Sequence, residues 1–139
     1  TGGSGGHVIP AITIYNHLKN THEILISTDL RGLAYLDKNY NTVVIKTPKL
    51  NNYFLLPFSF LKILFLTVKS FFLLKKNNFS MLISTGGYMS LPLCLAAKIL
   101  CLKIFLIEPN MVLGRSSKFF LKSSKKIICY SKNLINLPS

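Results

Sequence analysis

The sequence predicts an α/β protein with a Rossmann-like, doubly wound parallel sheet. Apolar runs of strand length alternate with segments of helical period, and glycine-rich loops lead into two of the helical segments. Strands that alternate with helices form βαβ units, in which the strands run parallel and the helices cover the sheet. The chain has 139 residues and 50% of them are hydrophobic, which suits one domain with a buried core and excludes a disordered segment.

The first half of the chain contains two strand-like runs and two helical ones. Residues Val8–Leu18 place apolar side chains on one helical face, and Pro10 is tolerated in the first turn. The β-branched runs Glu23–Ser27 and Thr42–Lys46 are typical of strands, and a brief helix over Leu33–Lys38 separates them. A strand is also expected before the opening glycines. Because the first strand of a doubly wound sheet lies centrally, we expect this sheet to have an unfilled central position.

The second half repeats the alternation. It contains three further strand-like runs, Met81–Ser84, Lys103–Ile107 and Lys126–Tyr130, and helical stretches near residues 57–76, 91–101 and 115–123. Ligands of such sheets bind at the carboxyl ends of the strands. The unusual loops of the chain fall at that edge: Thr1–His7, Thr85–Ser90 and Glu108–Gly114.

The opening loop reads TGGSGGH and leads directly into a helix. Its glycines let the backbone approach a ligand closely, and free amides at a helix start attract phosphate. The dinucleotide pattern G-x-G-x-x-G does not fit, because counting from Gly3 places Val8 at the last glycine position. A nicotinamide-dependent reductase with Asp29 as its ribose-binding acid remains an alternative. His7 follows the last glycine, where an imidazole would face the ligand.

A second glycine loop, Thr85–Ser90, again lies between a strand and a helix. Two such loops on one sheet could present amides to a pyrophosphate. Glu108 ends the strand before the third loop and is the only acid after Asp37. A lone carboxylate in this position is a candidate base, orienting group or hydroxyl ligand, and a surface ion pair with a lysine is the structural alternative.

The chain is both basic and apolar. It has 17 Lys and Arg against four Asp and Glu, a net charge of +13, and a mean hydropathy of +0.41. The charge suits nucleic acid or an anionic membrane, and the hydropathy favours the membrane. Nucleic acid is the least favoured of these ligands, because only Arg31 and Arg115 could recognise bases through a guanidinium.

The sequence predicts no metal site, because it has few acidic residues and no D-x-D motif. Three cysteines inside apolar runs predict buried, reduced thiols: Cys94, Cys101 and Cys129.

The segment Tyr53–Lys76 is almost as long and apolar as a membrane span, but Pro57 and lysines interrupt it. Phe and Leu fill one half of its helical wheel, and the other half holds the polar residues Ser59, Lys62, Thr67, Lys69, Ser70 and Lys76. This pattern predicts a helix with one face on the sheet and the rest in the membrane surface. The predicted membrane contacts are Phe58, Leu61, Lys62, Phe65, Lys69 and Phe72.

Three strings occur in order: GGSGGHVIPA at Gly2–Ala11, TGGYMSLP at Thr85–Pro92, and IEPNMVLG at Ile107–Gly114. Together they resemble the amino-terminal domain of the MurG family, over essentially the whole chain. That family transfers GlcNAc from UDP-GlcNAc to the MurNAc 4-hydroxyl of undecaprenyl-linked lipid I, with inversion, giving lipid II for peptidoglycan and the cell wall. The resemblance implies half of a GT-B fold, with residues 1–139 as the acceptor-binding domain and the carboxyl-terminal donor domain absent from this fragment.

The resemblance also implies site roles. Ser4, Gly5, Gly6 and Asn110 would contact the donor; Gly86, Gly87, Tyr88 and Ser90 would bind the acceptor or its diphosphate. His7 and Glu108 are the candidate catalytic residues. It implies neither metal nor cofactor, no nucleic acid, and a peripheral location on the cytoplasmic face of the bacterial inner membrane.

The chain departs from the family pattern at three positions. Ile107 and Pro109 replace a usual His and Gln, so roles that need those side chains are in question. Leu91 replaces a common Gly and is expected to tighten the acceptor pocket. Another interpretation is the acceptor-side subunit of a two-chain polyprenyl-linked glycosyltransferase.

Overall fold

The computed structural model describes residues 1–48, 56–131 and 134–136. The first part of the predicted membrane segment, residues 53–55, lies outside the described residues. Helices and strands alternate in this order: α1 (Gly5–Leu18), β1 (Ile26–Thr28), β2 (Thr42–Val44), α2 (Leu56–Lys76), β3 (Met81–Ser84), α3 (Leu91–Ile99), β4 (Lys103–Glu108), α4 (Arg115–Phe120) and β5 (Lys126–Cys129). Short 3₁₀ turns precede β2, precede α3 and follow α4.

All strand pairs are parallel, which confirms the predicted fold class. Strand β1 pairs with β2, and β4 lies between β3 and β5. The register aligns Ser84 with Leu106 and Glu108 with Cys129. The carboxyl ends of β3, β4 and β5 therefore meet at one edge, where the predicted ligand loops begin.

The strands of the described residues form two sheets and not one, because no hydrogen-bonded strand joins β1 to β3. A largely apolar groove of about 180 Å³, here called the sheet groove, separates them between α1 and the end of α2. Its walls include Leu25, Ile26, Leu82, Ile83 and the α1 residue Ile14. The groove therefore lies between the facing edges of β1 and β3.

The core lies where the three-stranded sheet meets α3 and α2. Small side chains on α3 are completely buried at Cys94, Ala96 and Ala97, and Ile104 and Leu106 of β4 are 1% exposed. Apolar side chains of α2, among them Leu74, join the same cluster. Because this core fixes β3 and β4, it also fixes the loops that leave their carboxyl ends.

Only one cysteine fits the prediction of buried thiols in full. Burial raises the pKa of the Cys94 thiol to about 11, so this thiol stays protonated and inert at neutral pH. Cys129 is half-buried and Cys101 is exposed. Helix α3 ends at Ile99, and the chain then turns through Cys101 with a φ of 54°, which directs its side chain outward.

Helix α2 reverses the usual arrangement of an amphipathic helix on a protein core. Its buried stripe consists of Ser59, Ile63, Thr67, Ser70 and Leu74, each no more than 8% exposed. The hydroxyl residues that the helical wheel groups with the lysines are therefore buried, whereas Lys62 and Lys69 are exposed. Ser and Thr are small enough to pack closely, and the Thr67 hydroxyl donates to the Ile63 carbonyl (2.8 Å) within the helix.

The outer surface of α2 is apolar and basic. Seven large apolar side chains are 49–70% exposed on it: Phe58, Phe60, Leu61, Leu64, Phe65, Val68 and Phe72. Lys62 and Lys69 are exposed among them, and the Lys69 ammonium lies 4.8 Å from the centre of the Phe65 ring. By length and composition alone, Pro57–Lys76 is also the one described helix that could cross a membrane.

Candidate active site

The opening glycine loop is the start of α1. Ser4 is the N-terminal cap, and its carbonyl accepts hydrogen bonds from the amides of His7 (2.9 Å) and Val8 (3.0 Å). The helix therefore begins at Gly5, three residues before the apolar pattern predicts. The first amides of a helix have no partner within it. A side chain added at Gly6 would meet no atom within 4 Å, so a ligand has room to approach these amides.

The His7 ring is held by the second glycine loop. Its Nδ1 lies 2.6 Å from the Thr85 carbonyl oxygen. A carbonyl only accepts, so Nδ1 carries the proton, and the neutral ring has its lone pair on Nε2. This contact fixes both the orientation and the tautomer of the imidazole, as a general base requires.

Three glycines enclose the His7 ring. A side-chain carbon at Gly2 would lie 2.8 Å from His7 Cδ2, and one at Gly86 would lie 3.2 Å from His7 Cε1. Gly86 and Gly87 have φ values of 88° and 85°, a region that side-chain-bearing residues rarely adopt. The two glycine loops therefore pack against each other through the imidazole.

Serine hydroxyls shape the second glycine loop. The Gly87 carbonyl accepts hydrogen bonds from the hydroxyls of Ser90 (2.8 Å) and Ser116 (3.0 Å). Ser90 is 5% exposed, so the structure places it behind the loop. Ser90, which was predicted to bind the acceptor, therefore stabilises the conformation of the loop, while Gly86, Gly87 and Tyr88 form the loop itself.

Tyr88 is tied to the loop that follows β1. Its hydroxyl accepts a hydrogen bond from Arg31 Nη2 (3.2 Å), and Arg31 also donates to Asp29 Oδ2 from Nε (2.9 Å) and Nη2 (2.8 Å). Burial alone would raise the pKa of the Asp29 carboxyl. Hydrogen bonds from the Gly32 amide and from Arg31, with the charge of Arg31, outweigh burial and hold this pKa below its usual range.

Glu108 organises the third loop from a position that is 1% exposed. Its Oε1 accepts from the amide (3.4 Å) and side-chain Nδ2 (3.1 Å) of Asn110, and its Oε2 accepts from the Gly114 amide (3.0 Å). Both carboxylate oxygens are thus engaged, and no hydrogen bond joins Glu108 to His7 among the described residues. Of the three roles open to this acid, the geometry favours the orienting one, with Asn110 as the group it orients.

Sequence reasoning predicted helix α4 but assigned no site role to the serines at its start. Ser117 Oγ lies 3.7 Å from a side-chain carbon placed at Gly86 and 3.9 Å from one at Gly114, so it stands between the second and third loops. Within the described residues, its buried hydroxyl and that of Thr85 have no hydrogen-bond partner. The available signal was the Ser116–Ser117 pair at the start of a helix, directly after a loop from the ligand-binding edge of the sheet.

The family model of the glycosyltransferase family 28 N-terminal domain matches residues 1–129. The chain belongs to this family. The family assignment leaves no support for a nicotinamide-dependent reductase, and the Asp29 carboxylate that such an enzyme would need is bound to Arg31. No cluster of three or more potential metal-binding side chains occurs in the part of the chain that the structure describes.

Two curated relatives of this family-28 chain carry the name UDP-N-acetylglucosamine--N-acetylmuramyl-(pentapeptide) pyrophosphoryl-undecaprenol N-acetylglucosamine transferase. The protein from Pelagibacter ubique (strain HTCC1062) is 51% identical over 140 residues, which cover 99% of this chain and 39% of that protein. The protein from Wolbachia pipientis subsp. Culex pipiens (strain wPip) is 40% identical over 130 residues, which cover 91% of this chain and 36% of that protein. The chain therefore spans about two fifths of these relatives.

A solved structure shares the fold. The crystal structure of Acinetobacter baumannii MurG aligns with a TM-score of 0.80 at 22% identity, over 97% of this chain and 40% of that one. The resemblance to the MurG family and the predicted half of a GT-B fold are confirmed.

Proposed function

We propose that the protein containing this chain transfers GlcNAc from UDP-GlcNAc to the MurNAc 4-hydroxyl of undecaprenyl-linked lipid I, and that this chain is its acceptor-binding domain. The contact between His7 Nδ1 and the Thr85 carbonyl carries the proposal, because it joins both glycine loops into one site with a free imidazole nitrogen. The identity to relatives named for this activity supports the choice of substrates.

His7 acts as the general base. As the acceptor oxygen attacks C1 of GlcNAc, Nε2 takes the proton of the 4-hydroxyl. The bond between C1 and the UDP oxygen breaks in the same displacement, so UDP leaves and the configuration at C1 inverts. Nδ1 keeps its hydrogen bond to Thr85, which stabilises the imidazolium that forms.

The loops bind the two substrates. The start of α1, at Ser4, Gly5 and Gly6, faces the donor, together with Asn110 in the orientation that Glu108 gives it. Gly86, Gly87 and Tyr88 present the second loop to the acceptor diphosphate, and Ser90 holds that loop in shape. Backbone amides at a helix start and in glycine loops offset phosphate charge without reorganising.

A transfer assay with the protein containing this chain tests the proposal. Labelled UDP-GlcNAc and a short-chain lipid I analogue are expected to give one disaccharide product with an inverted anomeric centre. UDP-glucose, and an acceptor without the MurNAc 4-hydroxyl, are the matched negative substrates. Failure to glycosylate lipid I, or equal transfer to the 4-deoxy acceptor, would contradict the proposed reaction.

The outer surface of α2 is proposed to rest on an anionic membrane, at the cytoplasmic face of the bacterial inner membrane. Phe58, Leu61, Phe65 and Phe72 are 58–70% exposed and would enter the lipid surface. Lys62 and Lys69 would meet the headgroups. A peripheral location brings the domain to an acceptor whose polyprenyl chain stays in the bilayer.

Vesicle binding is expected to depend on these lysines. Two lysines near an anionic surface contribute about 2 kcal/mol, so Lys62→Glu with Lys69→Glu should weaken co-sedimentation with anionic vesicles at least about tenfold. The exposed pair Lys98→Glu with Lys103→Glu changes the net charge equally and should have little effect. Equal weakening by both pairs would assign binding to net charge and not to α2.

A further inference from the structure

A pocket of about 180 Å³ lies at the carboxyl ends of β1 and β2, beside the second glycine loop. This is the edge of a parallel α/β sheet where ligands bind. None of the site roles described above uses the pocket. Its lining consists of Asp29, Leu30, Arg31, Lys46, Thr47 and Met89.

The Arg31 guanidinium in this pocket is oriented in advance. Asp29 accepts from its Nε and Nη2, and the same carboxylate is anchored by the amides of Arg31 (3.0 Å) and Gly32 (2.9 Å). Nη1 has no partner among the described residues, and the Arg31 side chain is 56% exposed. A fixed guanidinium with free N–H groups matches the oxygens of a carboxylate or a phosphate.

The pocket carries a net positive charge. Asp29 is its only carboxylate, and its charge is neutralised by Arg31 in the one ion pair of the described residues. Lys46 is exposed and adds a second cation without a carboxylate partner in the described ranges. An anion in the pocket would therefore be attracted by Arg31 and Lys46, while the charge of Asp29 is already paired with Arg31.

The pocket is continuous with the second glycine loop. Arg31 Nη2 donates to the Tyr88 hydroxyl (3.2 Å), and the Thr47 hydroxyl donates to the Met89 carbonyl (3.5 Å). A ligand held by Gly86 and Gly87 could thus extend across Tyr88 towards Arg31. The pocket adjoins the proposed acceptor-binding loop at Met89, and its Asp29 also lies against Gly3 of the opening loop.

We propose that Arg31 and Lys46 form an oxyanion subsite for the acceptor. Its ligand is either a phosphate of the acceptor diphosphate or a carboxylate of the acceptor peptide, because both present the oxygens that this guanidinium matches. The inference rests on the proposed function for the identity of the acceptor, whereas the binding of an oxyanion by the pocket does not depend on it.

Calorimetric binding to the protein without donor tests the subsite. Inorganic pyrophosphate is the phosphate probe and N-acetyl-D-alanyl-D-alanine is the carboxylate probe. Arg31→Gln is expected to weaken binding of one probe about tenfold, and Lys46→Gln about threefold. Arg31→Lys should restore only part of the loss, since an ammonium cannot keep the two contacts with Asp29 that orient the guanidinium. The exposed Lys98→Gln removes the same charge elsewhere and should leave both affinities unchanged.

The outcomes separate this inference from the proposed reaction. The probe that responds identifies the source of the oxyanion, and a higher KM for the acceptor at an unchanged KM for UDP-GlcNAc would support the same subsite. Lys46 donates no described side-chain hydrogen bond, so Lys46→Gln decides the matter even if Arg31→Gln unfolds the protein. No binding of either probe by the wild type, or unchanged binding of both probes by Lys46→Gln, would overturn the subsite. Loss of GlcNAc transfer alone would not overturn the subsite.

Discussion

Replacing His7 by alanine is expected to lower kcat for GlcNAc transfer by about 10²- to 10⁴-fold, the usual contribution of a general base. The expectation follows from the Nδ1 contact with Thr85, which leaves Nε2 as the free basic nitrogen beside both glycine loops. Steady-state transfer to the lipid I analogue at saturating donor measures the effect. KM for either substrate should change much less than kcat, because the imidazole acts on a proton that moves in the transition state.

His7→Asn separates proton transfer from loop positioning. The asparagine amide can still donate to the Thr85 carbonyl, but it has no basic nitrogen, so its kcat should fall as far as that of His7→Ala. His17→Ala removes an exposed histidine from the same helix and should leave the rate unchanged. Substantial activity in His7→Asn would mean that the ring holds the loops together and another group accepts the proton.

Glu108→Gln is expected to lower the free energy of unfolding by about 1–3 kcal/mol, although it is nearly isosteric. The carboxylate accepts from three N–H groups, two on Asn110 and one on Gly114. A glutamine has one acceptor oxygen, so its NH₂ group must face a former donor in a site that is 1% exposed. Chemical denaturation of the protein at pH 7 measures the loss.

The same variant should raise KM for UDP-GlcNAc, because Asn110 loses the acceptor that holds its side chain. Glu23→Gln neutralises an exposed acid and is the matched control for charge. If Glu108→Gln kept its stability and its KM for the donor but lost kcat, the carboxylate would be acting on the reacting atoms and the orienting role would be wrong.

The parts of the site that lie on single loops could be predicted from the sequence, since glycines, His7 and Glu108 stand at strand ends. The contact between His7 and Thr85 joins residues 78 positions apart, and only the fold brings the start of α1 against the loop after β3. The role of Glu108 could not be chosen from the sequence, because two of its three donors are backbone amides, which a sequence pattern does not display.

Helix α2 shows why a helical wheel alone could not separate the buried polar residues from the exposed ones. A helical wheel groups residues by polarity, whereas close packing against α3 requires small side chains. Ser59, Thr67 and Ser70 therefore turn inward, and the larger Phe and Leu side chains turn outward. The period of the pattern correctly predicted a helix with two kinds of surface, but only the structure reveals which surface meets the core.

The sheet groove also sets how molecules of this chain meet one another. The facing edges of β1 and β3 are not joined to each other among the described residues. Open strand edges are templates for a strand from another molecule. The net charge of +13 makes neighbouring molecules repel one another. Salt weakens this repulsion, because at physiological ionic strength charges more than about 8 Å apart are largely screened. For a protein limited to residues 1–139, colloidal stability should therefore fall as salt rises, with intermolecular β-pairing at the groove as the route to aggregation.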